Sequence, residues 1–102
     1  MTMKVMSKAI KDKSHDILAD AIAIISTRDE AYAFLEDAFT STEIAAIAQR
    51  VNVAKMIREG EKYNQIEEKT GMSSATISRI KKCIEGGSGG YNIVLDRLEK
   101  EG

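Results

Sequence analysis

Proline and tryptophan are both missing from the 102 residues, and the chain holds a single cysteine and a single histidine. Without proline, no helix is broken by a lost amide donor and a fixed φ. One cysteine, Cys83, excludes an intrachain disulfide and a cysteine cluster for structural zinc, and this usage fits a reducing cytoplasm. One histidine, His15, leaves no second imidazole for a metal pair. Lying beside Asp16 in a first helical turn, it reads as solvated or capping. No nucleophile has an obvious base partner, so neither an enzyme nor a cofactor is predicted. Cys83 falls near the apolar side of its helix and is expected to be a buried small side chain. Apolar runs of about 18 residues are absent, and the opening MTMKVMSKAIKDKS holds no continuous apolar stretch of leader length. A cytoplasmic protein without membrane insertion is expected.

What is present points to helices. Apolar residues at 43% and charged residues at 30% give an ordinary globular balance, not the charge-rich, hydrophobe-poor profile of disorder. Ile, Ala, Glu and Lys dominate over aromatics, which make up only 5%, so an all-α fold is favoured over sheets. The length suits one domain. Net charge is -1, yet it is unevenly spread: residues 50–82 carry eight basic against four acidic side chains. A local positive field on an otherwise acidic molecule favours a polyanion at that segment alone.

Residues 1–13 are lysine-rich and aperiodic, and are expected to form a flexible arm. The single helical domain then runs over 14–102. Ser14 is the expected cap of a first helix, whose stripe of Ile17, Leu18, Ala21, Ile22, Ile24 and Ile25 predicts a well-buried face. Thr27 with Glu30, and Thr40 with Glu43, have the spacing of a capping box, in which hydroxyl and carboxylate each satisfy a free amide of the first turn. The second helix carries Ala31, Phe34, Leu35 and Ala38. The third carries Ile44, Ile47, Ala48, Val51, Ala54 and Ile57, and stops at Gly60. GGSGG at 86–90 lacks the lysine and spacing of a phosphate-binding loop and reads as a hinge before a last stripe of Tyr91, Val94, Leu95 and Leu98. Three wide stripes in a chain with few aromatics offer more apolar surface than one copy covers, which predicts a dimer.

The segment YNQIEEKTGMSSATISRI at 63–80 is the most informative. Gly71 supplies a left-handed helix stop that costs a residue without Cβ little. Ser73 can then cap the next helix, and Met72 can fill the space between the two helices. Ile66, Met72, Ile77 and Ile80 are the expected shared core. That spacing leaves Ser74, Ala75, Ser78, Lys81 and Lys82 outward, small and hydroxylated at the helix start and basic towards its end. Such a helix-turn-helix suits a major groove about 12 Å wide, where small residues permit close approach to base edges and cations meet phosphates. Glu67 and Thr70 depart from this kind of motif, which often places an alanine and an apolar residue there.

TSTEIAAIAQRVNVAKMIREG at 40–60, the Tyr63-Asn64-Gln65-Ile66 run and TGMSSATISRIKKC at 70–83 resemble the Trp repressor superfamily, and more closely its Trp-repressor-like YerC/YecD branch. The likeness covers most of the chain. It implies an intertwined, all-α homodimer in a bacterial cell, with the first three helices and the last in the core and residues 63–84 projecting as a reading head. It further implies a sequence-specific transcriptional regulator of repressor type that binds double-stranded DNA. The expected contacts are Tyr63, Asn64, Ser73, Ser74, Ala75, Thr76, Ser78, Arg79, Lys81 and Lys82. Arg50 and Arg79 match the two arginines that clasp tryptophan in the tryptophan-binding relative and mark a candidate ligand pocket. Ile80 stands where that relative has a glycine next to the ring, so tryptophan itself is not the expected ligand. The competing reading is a helical protein-interaction module, docking through its acidic helices without sequence-specific DNA binding. RNA ranks below both, because only Tyr63 could stack on a base.

Overall fold

A computed structural model describes residues 12–101. The arm expected over 1–13 therefore lies outside the described residues except for Asp12 and Lys13. Among the described residues, a 3-10 turn (Lys13–His15) precedes six helices, with no strand. These are α1 (Asp16–Ile24), α2 (Arg28–Ala38), α3 (Ser41–Arg58), α4 (Tyr63–Thr70), α5 (Ser74–Gly86) and α6 (Gly90–Glu101). The all-α architecture expected from composition is thus the observed one. The chain divides into two compact units, with the boundary inside α3 at residues 45 and 46.

In the unit that ends at Ala45, local chemistry sets the helix starts. Ser14 does not cap α1, whose N-cap position is His15; Asp12 caps the 3-10 turn before it, its Oδ1 accepting from the Ser14 amide at 2.7 Å and from the Ser14 hydroxyl at 2.6 Å. The expectation for Ser14 is corrected because the 3-10 turn moves the start of α1 to Asp16, and the Ser14 hydroxyl, inside that turn, donates to the Asp12 carboxylate. Those same two bonds, the hydroxyl's first, hold the Asp12 carboxyl below its usual range. Thr27 caps α2 by accepting from the Glu30 amide at 3.1 Å. The reciprocal arm shifts by one residue, for Glu30 Oε1 accepts from the Ser26 amide at 3.0 Å. Thr40 and Glu43 form the complete box at the head of α3, with the Thr40 amide reaching Glu43 Oε1 at 2.9 Å and the Glu43 amide reaching Thr40 Oγ1 at 3.1 Å. Bonds from the Ser26 amide and hydroxyl lower the Glu30 carboxyl, and bonds from the Thr40 amide and hydroxyl lower that of Glu43.

The first helix departs from expectation in burial. Ile17 is 77% exposed and Ile24 80%, with Leu18 and Ile22 exposed as well, so its stripe is not the buried face that periodicity predicted. Only Ala21 and Ile25 are half-buried on this stretch. A nine-residue helix presents a stripe whether or not the same chain supplies something to cover it, which periodicity cannot tell. In α2 and beyond, Phe34, Leu35, Phe39 and Ile44 are half-buried. The rings of Phe34 and Phe39 meet edge to face, 6.1 Å between centroids.

The unit that begins at Ala46 holds the buried core of the chain: Val53 and Ala54 of α3, Ile66 of α4, Ile77 and Ile80 of α5, and Leu95 of α6. Met56, Ile57, Tyr63, Met72, Ile84 and Tyr91 pack against it. The core therefore lies with the helix-turn-helix, and α1 and α2 contribute none of the fully buried side chains. Gly60 closes α3: it takes φ 84°, its amide bonds the Ile57 carbonyl at 3.0 Å, and the Glu61 amide reaches back to the Met56 carbonyl at 3.1 Å. This paired ending satisfies two carbonyls that the last turn leaves open.

Candidate nucleic-acid interface

The site is built on the α4-turn-α5 pair. Gly71 sits at φ 74°, ψ 2°, and its amide bonds the Glu67 carbonyl at 2.8 Å, ending α4 in the left-handed region. A Cβ there would meet no neighbour within 4 Å, so the demand for glycine is purely one of backbone conformation. Thr70 explains its own departure from an apolar residue. Its hydroxyl donates to the Ile66 carbonyl at 2.7 Å and accepts from the Met72 amide at 3.1 Å, stapling the turn on both sides of the glycine. Glu67 is exposed, so nothing there demands an alanine. Ser73 then caps α5, accepting from the Thr76 amide at 3.3 Å, and the two hydroxyls bond each other at 3.0 Å.

Beneath this turn, Ile66, Ile77 and Ile80 are buried as expected, while Met72 is half-buried at the margin. The outer side of α5 carries Ser74, Ala75, Arg79 and Lys82, all exposed, with Ser73 exposed just before it. Thr76, Ser78 and Lys81 are half-buried at its edges. Ser78 and Lys81 thus flank the outward face rather than standing fully on it. Asn64 is exposed at the start of α4, and its side-chain oxygen accepts from the Gln65 amide at 3.0 Å. Tyr63 is half-buried against the core, and the Lys81 ammonium lies 5.7 Å from its ring centroid, a cation-π contact. Lys81 also approaches Glu85 at 4.0 Å. Its charge is thereby partly answered within the helix, unlike the exposed positions of Arg79 and Lys82.

Arg50 and Arg79, distant in sequence, line one cleft of about 250 Å³ together with Thr76, Ile80, Cys83 and Tyr91. The two arginines that the resemblance paired are therefore brought to a common site. Ile80 forms part of its wall and is only 5% exposed. Cys83 corrects an expectation: it is exposed, because the buried row of α5 runs through Ile77 and Ile80, and Cys83 turns away from that row towards the cleft. Its place beside Val51 and Tyr91 in a neighbouring apolar cleft could not be read from α5 alone. His15 lies exposed in the 3-10 turn, where its amide bonds the Asp12 carbonyl at 2.8 Å. Among the described residues no His, Cys, Asp and Glu group is arranged to hold a metal, and no helix is long and apolar enough to cross a membrane.

Four residues that tie this unit together escaped the sequence reading. Val53 is fully buried although it lies off the predicted stripe of α3. Arg58 bonds the Asn92 carbonyl at 3.3 Å and pairs with Asp96 at 2.6 Å and with Glu99 at 3.7 Å, joining α3 to α6. Gln49 donates to the Thr70 carbonyl at 2.9 Å, and the Asn92 side-chain amide donates to the Ile84 carbonyl at 2.9 Å. A single-helix pattern carries no signal for bonds of this range.

Comparison with known proteins agrees with this geometry. The family model described as Trp repressor protein matches residues 13–99. The uncharacterised protein YerC of Bacillus subtilis is 42% identical over 91 residues, covering 89% of this chain and 88% of its own length. The crystal structure of a TrpR like protein from Eubacterium eligens superposes with a TM-score of 0.81 at 43% identity, covering 91% of this chain and 96% of that one. A solved structure from Staphylococcus aureus gives a TM-score of 0.81 at 38% identity, with 94% and 96% covered. By the extent of the family match and the level of identity to YerC, the chain belongs to the Trp repressor family, in its YerC-like branch.

Proposed function

We propose that this protein is a sequence-specific DNA-binding transcriptional regulator that acts as a homodimer, with α5 as its reading helix. One observation carries the reading: the capped, small-residue start of α5 and the cations of its later turns share an exposed face, held over a buried isoleucine core. Ser73, Ser74 and Ala75 suit the approach to base edges, whereas Arg79 and Lys82 suit phosphates. Tyr63, Asn64, Thr76, Ser78 and Lys81 flank that face and complete the contact set. The family is a regulatory, DNA-binding one, which supports this reading over an enzyme. The dimer is supported by the apolar residues that one copy leaves exposed, among them Ile17, Ile22 and Ile24 of α1, Ile47 of α3, and Val94 and Leu98 of α6. Two heads related by a twofold axis would enter successive major grooves, about 34 Å apart as in helix-turn-helix dimers generally, of which Trp repressor is itself an example. Occupancy would then occlude polymerase.

The cleft at Arg50 and Arg79 is a candidate effector site of this regulator. Two guanidinium groups suit a carboxylate or phosphate. The Ile80 side chain in its wall argues against an indole ring, so tryptophan is not the expected corepressor.

Selection of bound duplexes from a random oligonucleotide pool tests the function. One recurring operator is expected, and uniform weak retention would favour the protein-interaction reading instead. On that operator, Arg79→Ala and Lys82→Ala should each lower the slope of log affinity against log salt by about 0.9. An unchanged slope removes the residue from the phosphate contacts. Light scattering at micromolar concentration should give a dimer, and a monomer there would contradict the twofold arrangement.

A further inference from the structure

The two helices of the reading head each end on a carbonyl held by an amide side chain from a helix outside the head. Gln49 of α3 donates its Nε2 to the Thr70 carbonyl, the last residue of α4, at 2.9 Å. Asn92 of α6 donates its Nδ2 to the Ile84 carbonyl, in the last turn of α5, at 2.9 Å. Carbonyls of a last helical turn have no partner within their own helix, so each amide completes a helix end in trans. Asn92 is itself held, since its main-chain carbonyl accepts from Arg58 Nη1 at 3.3 Å while Arg58 Nη2 grips Asp96 at 2.6 Å.

Lys69 of α4 also pairs with Glu61, just before the head, at 2.7 Å, and the rest of the head's attachment to α3 and α6 is largely apolar. Its contacts with α3 and α6 run through Val53, Ala54, Ile66, Ile77, Ile80 and Leu95, an apolar core that resists separation far more than it resists small rotations. Its covalent connections both contain glycine in the left-handed region, Gly60 before α4, where the Glu61 amide also bonds the Met56 carbonyl at 3.1 Å, and Gly89 after α5. Hydrogen bonds weaken steeply with misalignment, so two of them at opposite ends of the head define an angle that the core leaves soft.

We infer that Gln49 and Asn92 are positioning residues for DNA recognition: two amides that set the angle of the reading helix against α3 and α6 without touching the duplex. The inference rests on the DNA-binding reading. Its consequence is specific to a two-headed reader, because both heads must match a fixed half-site spacing at once, and an error in angle is felt twice on a full operator but once on a half-site.

The test uses the full chain and an operator duplex selected by the wild type from a random pool. Asn92→Leu and Gln49→Met remove each amide at similar size without adding charge. Loss of one such bond is expected to cost about fivefold in affinity on a half-site duplex and roughly 25-fold on the full site, where both heads lose it. The ratio of full-site to half-site affinity therefore falls about fivefold. A merely structural loss lowers the amount of active protein and moves both affinities together, leaving that ratio unchanged. Because Gln49 is exposed, its variant keeps the test sound even if Asn92→Leu folds poorly. A wild-type ratio retained by Gln49→Met and by folded Asn92→Leu overturns the inference alone. A wild type that selects no operator overturns the DNA-binding reading and the inference with it.

Discussion

Glutamate in place of Ala75 is expected to reduce operator affinity by roughly a hundredfold or more while leaving the fold intact or slightly firmer. Ala75 is exposed in the first turn of α5, two residues after the Ser73 cap. A carboxylate in a first helical turn meets the positive end of the helix and contributes about 0.3–1 kcal/mol to its stability. Against a duplex the same charge faces phosphates and acceptor-rich base edges, where like-charge apposition costs on the order of several kcal/mol. The two effects have opposite sign, which makes the variant informative. Equilibrium binding at fixed salt and thermal melting of the same preparation separate them. Affinity unchanged with raised melting temperature would place the start of α5 away from the DNA.

Ile77→Ala should destabilise the protein by roughly 2–5 kcal/mol, the range for deleting a large aliphatic side chain from a packed interior. Ile77 is 0% exposed and lies on the opposite side of α5 from the proposed reading face. It joins the same cluster as Ile66, Val53 and Leu95, so the cavity opens where the helix-turn-helix meets α3 and α6. Denaturant unfolding at fixed protein concentration measures the loss; concentration is held constant because association would contribute to apparent stability. A change below about 0.5 kcal/mol is the level of an ordinary surface site and would contradict the burial.

How far these features could be read from sequence follows from the range over which each acts. The Thr40–Glu43 box, the Gly60 stop, the Gly71 turn and the Ser73 cap were legible because partners lie within about a helical turn of one another. Even there, details differed: a 3-10 turn capped by Asp12 moved the start of α1 past Ser14, and Glu30 reached chiefly for Ser26, with Thr27 a lesser partner. Thr70 looked like a departure from the motif and proved to be the staple of its turn, since a hydroxyl can serve two backbone groups that an apolar side chain cannot. Periodicity found Ala54, Ile66, Ile77, Ile80 and Leu95 but not Val53, whose burial depends on helices arriving from later in the chain.

The order of residues was enough to determine the helices, their caps and the bend between α4 and α5, because backbone amides and nearby side chains settle those matters among themselves. Tertiary packing alone decided that the α1 stripe stays exposed, that Cys83 faces outward, that Arg50 and Arg79 line one cleft, and that Gln49 and Asn92 bond the last turns of α4 and α5. These depend on which helix faces come together across dozens of residues, and a stripe of isoleucines states only that a face is apolar, never what will lie against it.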